Sequence, residues 1–475
     1  MSSAPAPSTN RCSRDLREWL RHLSATDRLV MAKPGVGLTH ELAAVAQRLE
    51  RDRAVILPQP GGHAVPVVAN LLASRRWISD CLGVAEDQVI HRYQSAVREP
   101  LPWVEVSEAP VQAIVHRDVD INAQLPVPTH NELDSGPYIA AGLMISRNPK
   151  TGVQNVSIHR CQISGPNRIG VLLLPRHTWT YARMAEEMGQ ALEVAIVIGN
   201  DPASLLASQA VVPLDFDEME IAGALHGAPV EMVKCQTSQV RVPARAEIVL
   251  EGRVLPDVVE PEGPFGEFPQ YYGQRADRHV IEVDAITHRL HPIFHTIIGG
   301  GMEHLLLGGL PREATLLETL RRNDPSVLDL HLSRGGVCRY HLVVKVAKKQ
   351  EGTPKNIMMG AFAGHYDVKQ VIVVDEDVNI HDPEQVEWAV ATRFQADRDL
   401  LVVSNSQGSK LDPTTTEDGV GAKMGLDATI PLATDDFTFK VIQVPGADSI
   451  DLEQMLDDEG VAAAIIGNEE TGREQ

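Results

Sequence analysis

The residues best suited to chemistry are few in kind and spread along much of the chain. Gln154-Asn155-Val156-Ser157-Ile158-His159-Arg160 sets an amide oxygen, a hydroxyl, an imidazole and a guanidinium in one short stretch. Further imidazole and carboxylate donors follow at His177, Glu218, Glu262 and Glu267. Asn155, His177 and Glu218 together offer mixed nitrogen and oxygen ligands without a thiolate. Such a set suits Mn²⁺ or Mg²⁺ better than a structural zinc. The segment Pro261-Glu262-Gly263-Pro264-Phe265-Gly266-Glu267 carries a pair of carboxylates on a backbone stiffened by Gly and Pro. If both face a dry pocket, the one beside Arg160 stays ionised. The other is pushed up in pKa and holds a proton at neutral pH, which is what a general acid needs. The alternative is a solvated surface turn.

Two further groups are candidates for binding. Ser208-Gln209 and Lys423, the latter within Gly419-Val420-Gly421-Ala422-Lys423, offer a hydroxyl and a Gly-flanked cation for a phosphate. A surface lysine is the alternative. No Walker A and no GxGxxG occurs, so ATP and NAD sites of the usual types are not indicated. Gly299-Gly300-Gly301-Met302-Glu303-His304, with Arg312, combines close backbone approach with an imidazole and a two-point guanidinium fork for a carboxylate. Here the alternative is a glycine hinge with surface polar groups.

The periodicity says which elements must carry these groups. Val156 and Ile158 alternate with polar neighbours, so 152–160 reads as a half-buried strand. Leu16, Leu20 and Leu23 predict a helix over 14–23, and the pattern over 39–49 a second. With strands at 54–57 and 65–69 and a helix over 70–82, residues 13–110 read as a small α/β domain after a disordered tail, 1–12. Short, turn-bounded strands then dominate, which predicts a barrel or sandwich over 111–305. Pro311 is read as the first turn of a helix over 312–322. Strands at 340–346, 370–375 and 400–403, with helices at 356–362 and 383–393, predict another α/β domain and a tail within 306–475.

The totals narrow the class. A chain of 475 residues, 43% hydrophobic and 23% charged, fits several folded domains rather than one core. A net charge of −21 argues against nucleic-acid backbones and anionic membranes, and the 4% aromatic content leaves few base-stacking platforms. The five cysteines are far apart with no CxxC, so neither a disulfide framework nor a zinc ribbon is expected. No signal-peptide pattern and no spanning apolar run is read, so the expectation is a soluble cytoplasmic protein without membrane insertion.

Taken together, the motifs resemble the UbiD family of prenylated-flavin-dependent decarboxylases. The segments that carry the resemblance are Asn155–Arg160, Val233-Lys234-Cys235, Ala246–Gly252, Glu262–Glu267, Val374–Asn379 and Gly421–Gly425. It covers roughly residues 110–435 well and the preceding part loosely. The resemblance implies a flavin-reductase-like split β-barrel flanked by N-terminal and C-terminal α/β domains, the latter usually dimerising. It implies a carboxy-lyase that uses prenylated FMN, supplied by a flavin prenyltransferase of the UbiX type. The cofactor phosphate would be held through Mn²⁺, or Mg²⁺, and K⁺. By motif position Asn155, His177 and Glu218 would be the divalent ligands. Asn155, Ser157, Ile158, Arg160, Arg176, His177, Ser208 and Lys423 would contact the cofactor.

Arg160, Glu262 and Glu267 would form the catalytic network, with Glu267 donating the proton after a covalent substrate–flavin adduct loses CO₂. His304 and Arg312 match the branch acting on furan-2,5-dicarboxylate, where such a pair binds the second carboxylate. Pyrrole- or indole-carboxylates belong to related branches. Phenolic, hydroxybenzoic or cinnamic-type acids are the alternatives, as is a flavin-binding barrel without decarboxylase activity. A homodimer or higher oligomer is expected.

Overall fold

The computed structural model describes residues 12–435 and 437–456. Most of the expected tail, residues 1–11, lies outside them; Cys12, the first described residue, is buried. The first helix, Leu16–Ala25, starts where Asp15 accepts the Glu18 backbone N–H at 2.8 Å. It buries Leu16, Trp19, Leu20 and Leu23 on one face, each contributing about 1.5–3 kcal/mol. Its outer face sends Arg17 to Glu247, with both N–H···O distances 2.8 Å. Glu247 is fully buried and also accepts from Ile293 N at 3.2 Å.

Strands Leu29–Met31, Ala54–Leu57 and Val67–Ala69 form the first sheet, and Phe294–His295 completes it from far along the chain. The expected helix over 70–82 is shorter, Arg75–Leu82, because Asn70 takes a positive φ of 64°. Its side chain caps backbone instead, donating to Ala46 O at 2.7 Å.

The region expected to form a split barrel builds a nine-stranded sheet. Its path runs Tyr138–Ile139, Cys161–Gly165, Arg168–Val171, Ala276–His288, Ile248–Glu262, Leu192–Ile198, Leu143–Arg147, Gln154–Ile158, with Ile114–His116 on Ala276–His288. Every pairing is antiparallel, as short connections allow. The last sheet orders Val327–Leu332, His341–Val346, Gln370–Asp375, Val420–Ala428, Leu400–Gln407, with parallel pairing at its centre.

Helix Met302–Asn323 leads from one sheet to the next. It begins ten residues before the expected start at 312, so Gly308, Gly309 and Pro311 lie inside it. The glycines serve packing there: a Cβ on Gly308 would collide with the Arg339 guanidinium and one on Gly309 with Cys338. Neither is a breaker when a neighbour fills the space. Residues 12–429 belong to one compact unit; the described part of 430–475 holds the one-turn helix Leu452–Met455. No helix among the described residues is long and apolar enough to cross a membrane.

Candidate active site

Arg160 follows strand Gln154–Ile158, and Glu262 is the last residue of strand Ile248–Glu262 rather than part of a free loop. Glu267 sits just past the two-residue strand Phe265–Gly266, which pairs with Tyr272–Gly273. These elements bring the guanidinium between both acids: Nη2 donates to Glu262 Oε2 at 2.7 Å and Nη1 to Glu267 Oε1 at 2.6 Å. All three side chains are largely buried. Tyr138 OH lies 3.1 Å from Glu262 Oε1 and from Gln162 Oε1, and Gly263 N donates to Gln162 at 3.0 Å. Asp134 accepts from Gly266 N at 2.8 Å and from Asn131 N at 2.8 Å, pinning the ribbon that carries Glu267.

Close packing requires glycine at Gly273, where a Cβ would come within 2.5 Å of Arg160 Nη1. Burial raises the Glu267 pKa; Arg160 opposes the shift and Glu262 adds to it. A raised carboxyl beside an arginine and a second acid is a proton donor in waiting.

The metal candidates converge in part. Asn155 Oδ1 lies 3.0 Å from His177 Nδ1, and Asn155 Nδ2 donates to Thr178 Oγ1 at 3.1 Å. Glu218 Oε2 accepts the backbone N–H of Val156 at 2.6 Å, one residue from Asn155. His177 opens helix His177–Glu187 and Glu218 opens helix Glu218–His226. Burial pushes the Glu218 pKa well up, because desolvation penalises its charged form, and Asp217 adds to the shift. An imidazole, an amide oxygen and a desolvated carboxylate are a donor set that fits a hard divalent ion. The N-terminus of His177–Glu187 is also the electrostatic seat a phosphate needs.

The remaining candidates are joined by a chain of contacts, some of them through residues that no sequence pattern flagged. Lys423 Nζ donates to Tyr366 O and Val368 O, both at 2.7 Å. Arg176 lies over the Tyr366 ring, 5.6 Å from its centroid, and donates to its hydroxyl. Tyr366 stacks on His365, whose Nε2 accepts from Arg312 Nε at 3.1 Å. His304 meets the edge of Phe268, the residue after Glu267, at 6.4 Å between centroids. Burial, with the charges of Arg339 and Arg312, pushes the His304 pKa down to about 3. Ser157 Oγ reaches His159 Nε2 at 2.9 Å, on the side of Asn155 and His177. Ile158 packs on the core, and the Ser208 hydroxyl donates to Leu205 O at 2.8 Å, so neither side chain touches the other candidates through a polar contact.

Tyr138, Gln162, Phe268, His365 and Tyr366 enter the site unannounced by the sequence. Gln162, two residues beyond Arg160, and Phe268, next to Glu267, have a local cue.

Comparison with known proteins agrees with this geometry. Residues 20–97, 103–302 and 305–428 match the N-terminal, Rift-related and C-terminal domains of 3-octaprenyl-4-hydroxybenzoate carboxy-lyase, UbiD. The chain is 48% identical to the UbiD-class enzyme HmfF from Pelotomaculum thermopropionicum, solved in complex with FMN. That match covers 93% of this chain and 100% of the other, with a TM-score of 0.91. An evolved dimeric form of HmfF in complex with prFMN is 46% identical, covering 94% and 100%, with a TM-score of 0.87. An anhydromevalonate phosphate decarboxylase from Methanothermobacter thermautotrophicus is 40% identical over 84% of this chain and 93% of that protein. With all three domains matched in order, the chain belongs to the UbiD family and is a decarboxylase of the carboxy-lyase class.

Proposed function

We propose that this enzyme reversibly decarboxylates a small heteroaromatic carboxylic acid of the furan-2,5-dicarboxylate, pyrrole- or indole-carboxylate type. The observation that carries the reading is the buried Arg160 guanidinium held at 2.7 Å from Glu262 and 2.6 Å from Glu267. Prenylated FMN, when bound, supplies the electron sink that loss of CO₂ from an sp² carbon requires. The chain supplies position and protons. Arg160 keeps its Nε–H without a partner among the described residues and directs it, with Nη, at the scissile carboxylate. Glu262, fixed by Tyr138, holds that guanidinium in place. Glu267 holds the proton that replaces CO₂ and delivers it to the substrate carbon. In bicarbonate the same groups run the reaction towards carboxylation.

Asn155, His177 and Glu218 would hold Mn²⁺ or Mg²⁺, with K⁺ beside the cofactor phosphate. Ser157, Ile158, Arg176, Ser208 and Lys423 would line the cofactor. His304 and Arg312 would take a second acidic group. Domain borders near 110 and 305, a dimerising C-terminal part and cofactor supply by a UbiX-type prenyltransferase complete the reading.

A second reading rests on the 40% identity to an anhydromevalonate phosphate decarboxylase: an unsaturated aliphatic acid bearing a phosphate. A hydride-transferring flavoprotein has no use for a raised carboxyl beside an arginine, which disfavours a flavin-binding barrel without decarboxylase activity. The test is co-expression with a flavin prenyltransferase and a screen of heteroaromatic, phenolic and phosphorylated acids for CO₂ release. A modified-flavin spectrum with release from furan-2,5-dicarboxylate is expected. A protein that takes up no flavin, or releases CO₂ from none of these acids, would overturn the proposal.

A further inference from the structure

Asp215 lies at the surface, in the connection between helices Pro202–Ala207 and Glu218–His226. One of its oxygens, Oδ1, accepts three hydrogen bonds. Asn148 Nδ2 donates at 2.6 Å, Tyr181 OH at 2.9 Å and Thr151 Oγ1 at 3.3 Å. The backbone at Asp215 is left-handed, with φ 64°, which a residue other than glycine holds only where its surroundings require it. Water would satisfy an exposed carboxylate, so three protein donors on one oxygen serve the elements that carry those donors.

Those elements are the ones that carry Asn155 and His177. Asn148 and Thr151 belong to the turn between strands Leu143–Arg147 and Gln154–Ile158, where Asn148 Oδ1 also accepts Lys150 N at 2.8 Å. That turn sets the register in which Ser146 pairs with Asn155. Tyr181 stands one turn beyond His177 on helix His177–Glu187, on the same face. Asp215 itself is three residues before Glu218, and Asp217 between them caps the Glu218 helix by accepting Met219 N at 3.0 Å. Asn148 and Tyr181 are buried, so each would lose a polar partner away from water if Asp215 withdrew.

We propose that Asp215 is a positioning residue: through Asn148, Thr151 and Tyr181 its Oδ1 fixes the hairpin of Asn155, the helix of His177 and the approach to Glu218 against one another, and so sets the affinity for the divalent ion. The inference rests on the assignment of Asn155, His177 and Glu218 as ligands of Mn²⁺ or Mg²⁺, and it deepens that assignment by naming what holds the three donors together. Ligands depend on such outer partners because a donor free to swing must be ordered again whenever the ion binds. The Asp215 charge also acts on His177, so a rival explanation works through the field and needs no junction.

The test follows the ion rather than turnover. Flavin-loaded protein is stripped of divalent metal with a chelator and titrated with Mn²⁺, the free ion being read by its EPR signal. Asp215→Gly removes the junction without straining the backbone, since glycine accepts a positive φ. It should weaken Mn²⁺ binding by about 10–100-fold, the usual effect of losing an outer partner. Asp215→Asn keeps an oxygen acceptor and drops the charge, and should stay within a few-fold of the parent. Tyr181→Phe removes one tie and should weaken binding several-fold. Melting with and without Mn²⁺ separates positioning from folding: Asp215→Gly should lose most of the rise in Tm that a fixed Mn²⁺ concentration brings to the parent.

Unchanged Mn²⁺ affinity in Asp215→Gly would overturn the inference. Equal losses in Asp215→Gly and Asp215→Asn would overturn it too, by assigning the effect to charge. If Asp215→Gly does not fold, weaker binding in Tyr181→Phe beside near-parent binding in Asp215→Asn supports the junction, and any other pattern overturns it. Glu218→Gln is titrated alongside. Affinity unaltered in Glu218→Gln defeats the ligand assignment, and the inference with it. Affinity lost in Glu218→Gln but kept in Asp215→Gly defeats this inference alone.

Discussion

The Arg160 guanidinium donates to Glu267 at 2.6 Å across 107 positions of sequence. This contact ties the group proposed to hold the departing carboxylate to the group proposed to supply the replacing proton. Breaking a buried pair of this kind costs about 3–5 kcal/mol, so the geometry persists between turnovers.

Glu267→Gln keeps the shape and the contact with Arg160 but cannot give up a proton. Turnover should fall by about 10²–10⁴-fold. The flavin spectrum should stay unchanged, since no cofactor contact is lost. Single-turnover CO₂ release read beside flavin absorbance checks both; undiminished turnover would remove Glu267 as donor.

The Glu267 pKa is raised by burial, so its acid form persists above the usual carboxylate range. The active form is the protonated one, and it is lost as pH rises through that raised value. Decarboxylation should therefore decline on the alkaline side, and the rate of proton incorporation from solvent should decline with it. A profile flat from about pH 5 to about pH 9 would contradict a protonated Glu267.

Gly273 has no positive φ, so alanine strains no backbone there; it meets Arg160 Nη1 at 2.5 Å and Glu267 Cγ at 3.3 Å instead. Gly273→Ala should push the guanidinium off both acids. Turnover should drop by about 10²-fold, with a stability loss of about 3–5 kcal/mol because two buried ion pairs are disturbed. Kinetics and thermal melting on one preparation separate the two effects.

Arg312→Ala should raise KM for a diacid by about tenfold or more while altering a monoacid far less, since a charged hydrogen bond contributes about 1.5–3 kcal/mol. Equal losses for both substrates would argue that Arg312 only packs against Gly308 and His365.

His226 Nε2 lies 2.7 Å from Asp201 Oδ1 in the interior. Burial lowers the imidazole pKa, but Asp201 outweighs it and lifts it to about 9. A histidine raised in the folded state stabilises fully below its unfolded value and loses that contribution as pH rises through the folded one. The pair should therefore add at most about 3 kcal/mol below pH 6.5 and lose it towards pH 9. Melting curves of the parent protein and His226→Gln across that range check it: the fall seen in the parent should flatten in the variant.

Much of this site could be read in the amino-acid order because its proposed catalytic members sit in short stiff motifs. Arg160 follows an alternating strand, and Glu262 and Glu267 flank Gly263 and Pro264. The rest was hidden for physical reasons. Tyr138 reaches Glu262 across 124 positions, a contact set by strand pairing and invisible to local spacing. Gly308 and Gly309 read as breakers because their meaning lies in Arg339 and Cys338, which fill the room that the missing side chains leave. Asn70 looked like the start of a helix because apolar spacing says nothing of a side chain that prefers the Ala46 carbonyl.

Glu247 lies at the opposite end of the strand that carries Glu262. It directly precedes the 15-residue strand whose last member is Glu262, and Arg17 clamps it with both carboxylate oxygens engaged. A slip of one residue along that strand would turn Glu262 to the wrong face. The leading helix therefore acts as a register lock for an acid about 45–50 Å of extended chain away. Trimming the protein past Arg17 would loosen the alignment of the proposed catalytic centre, which the helix never touches.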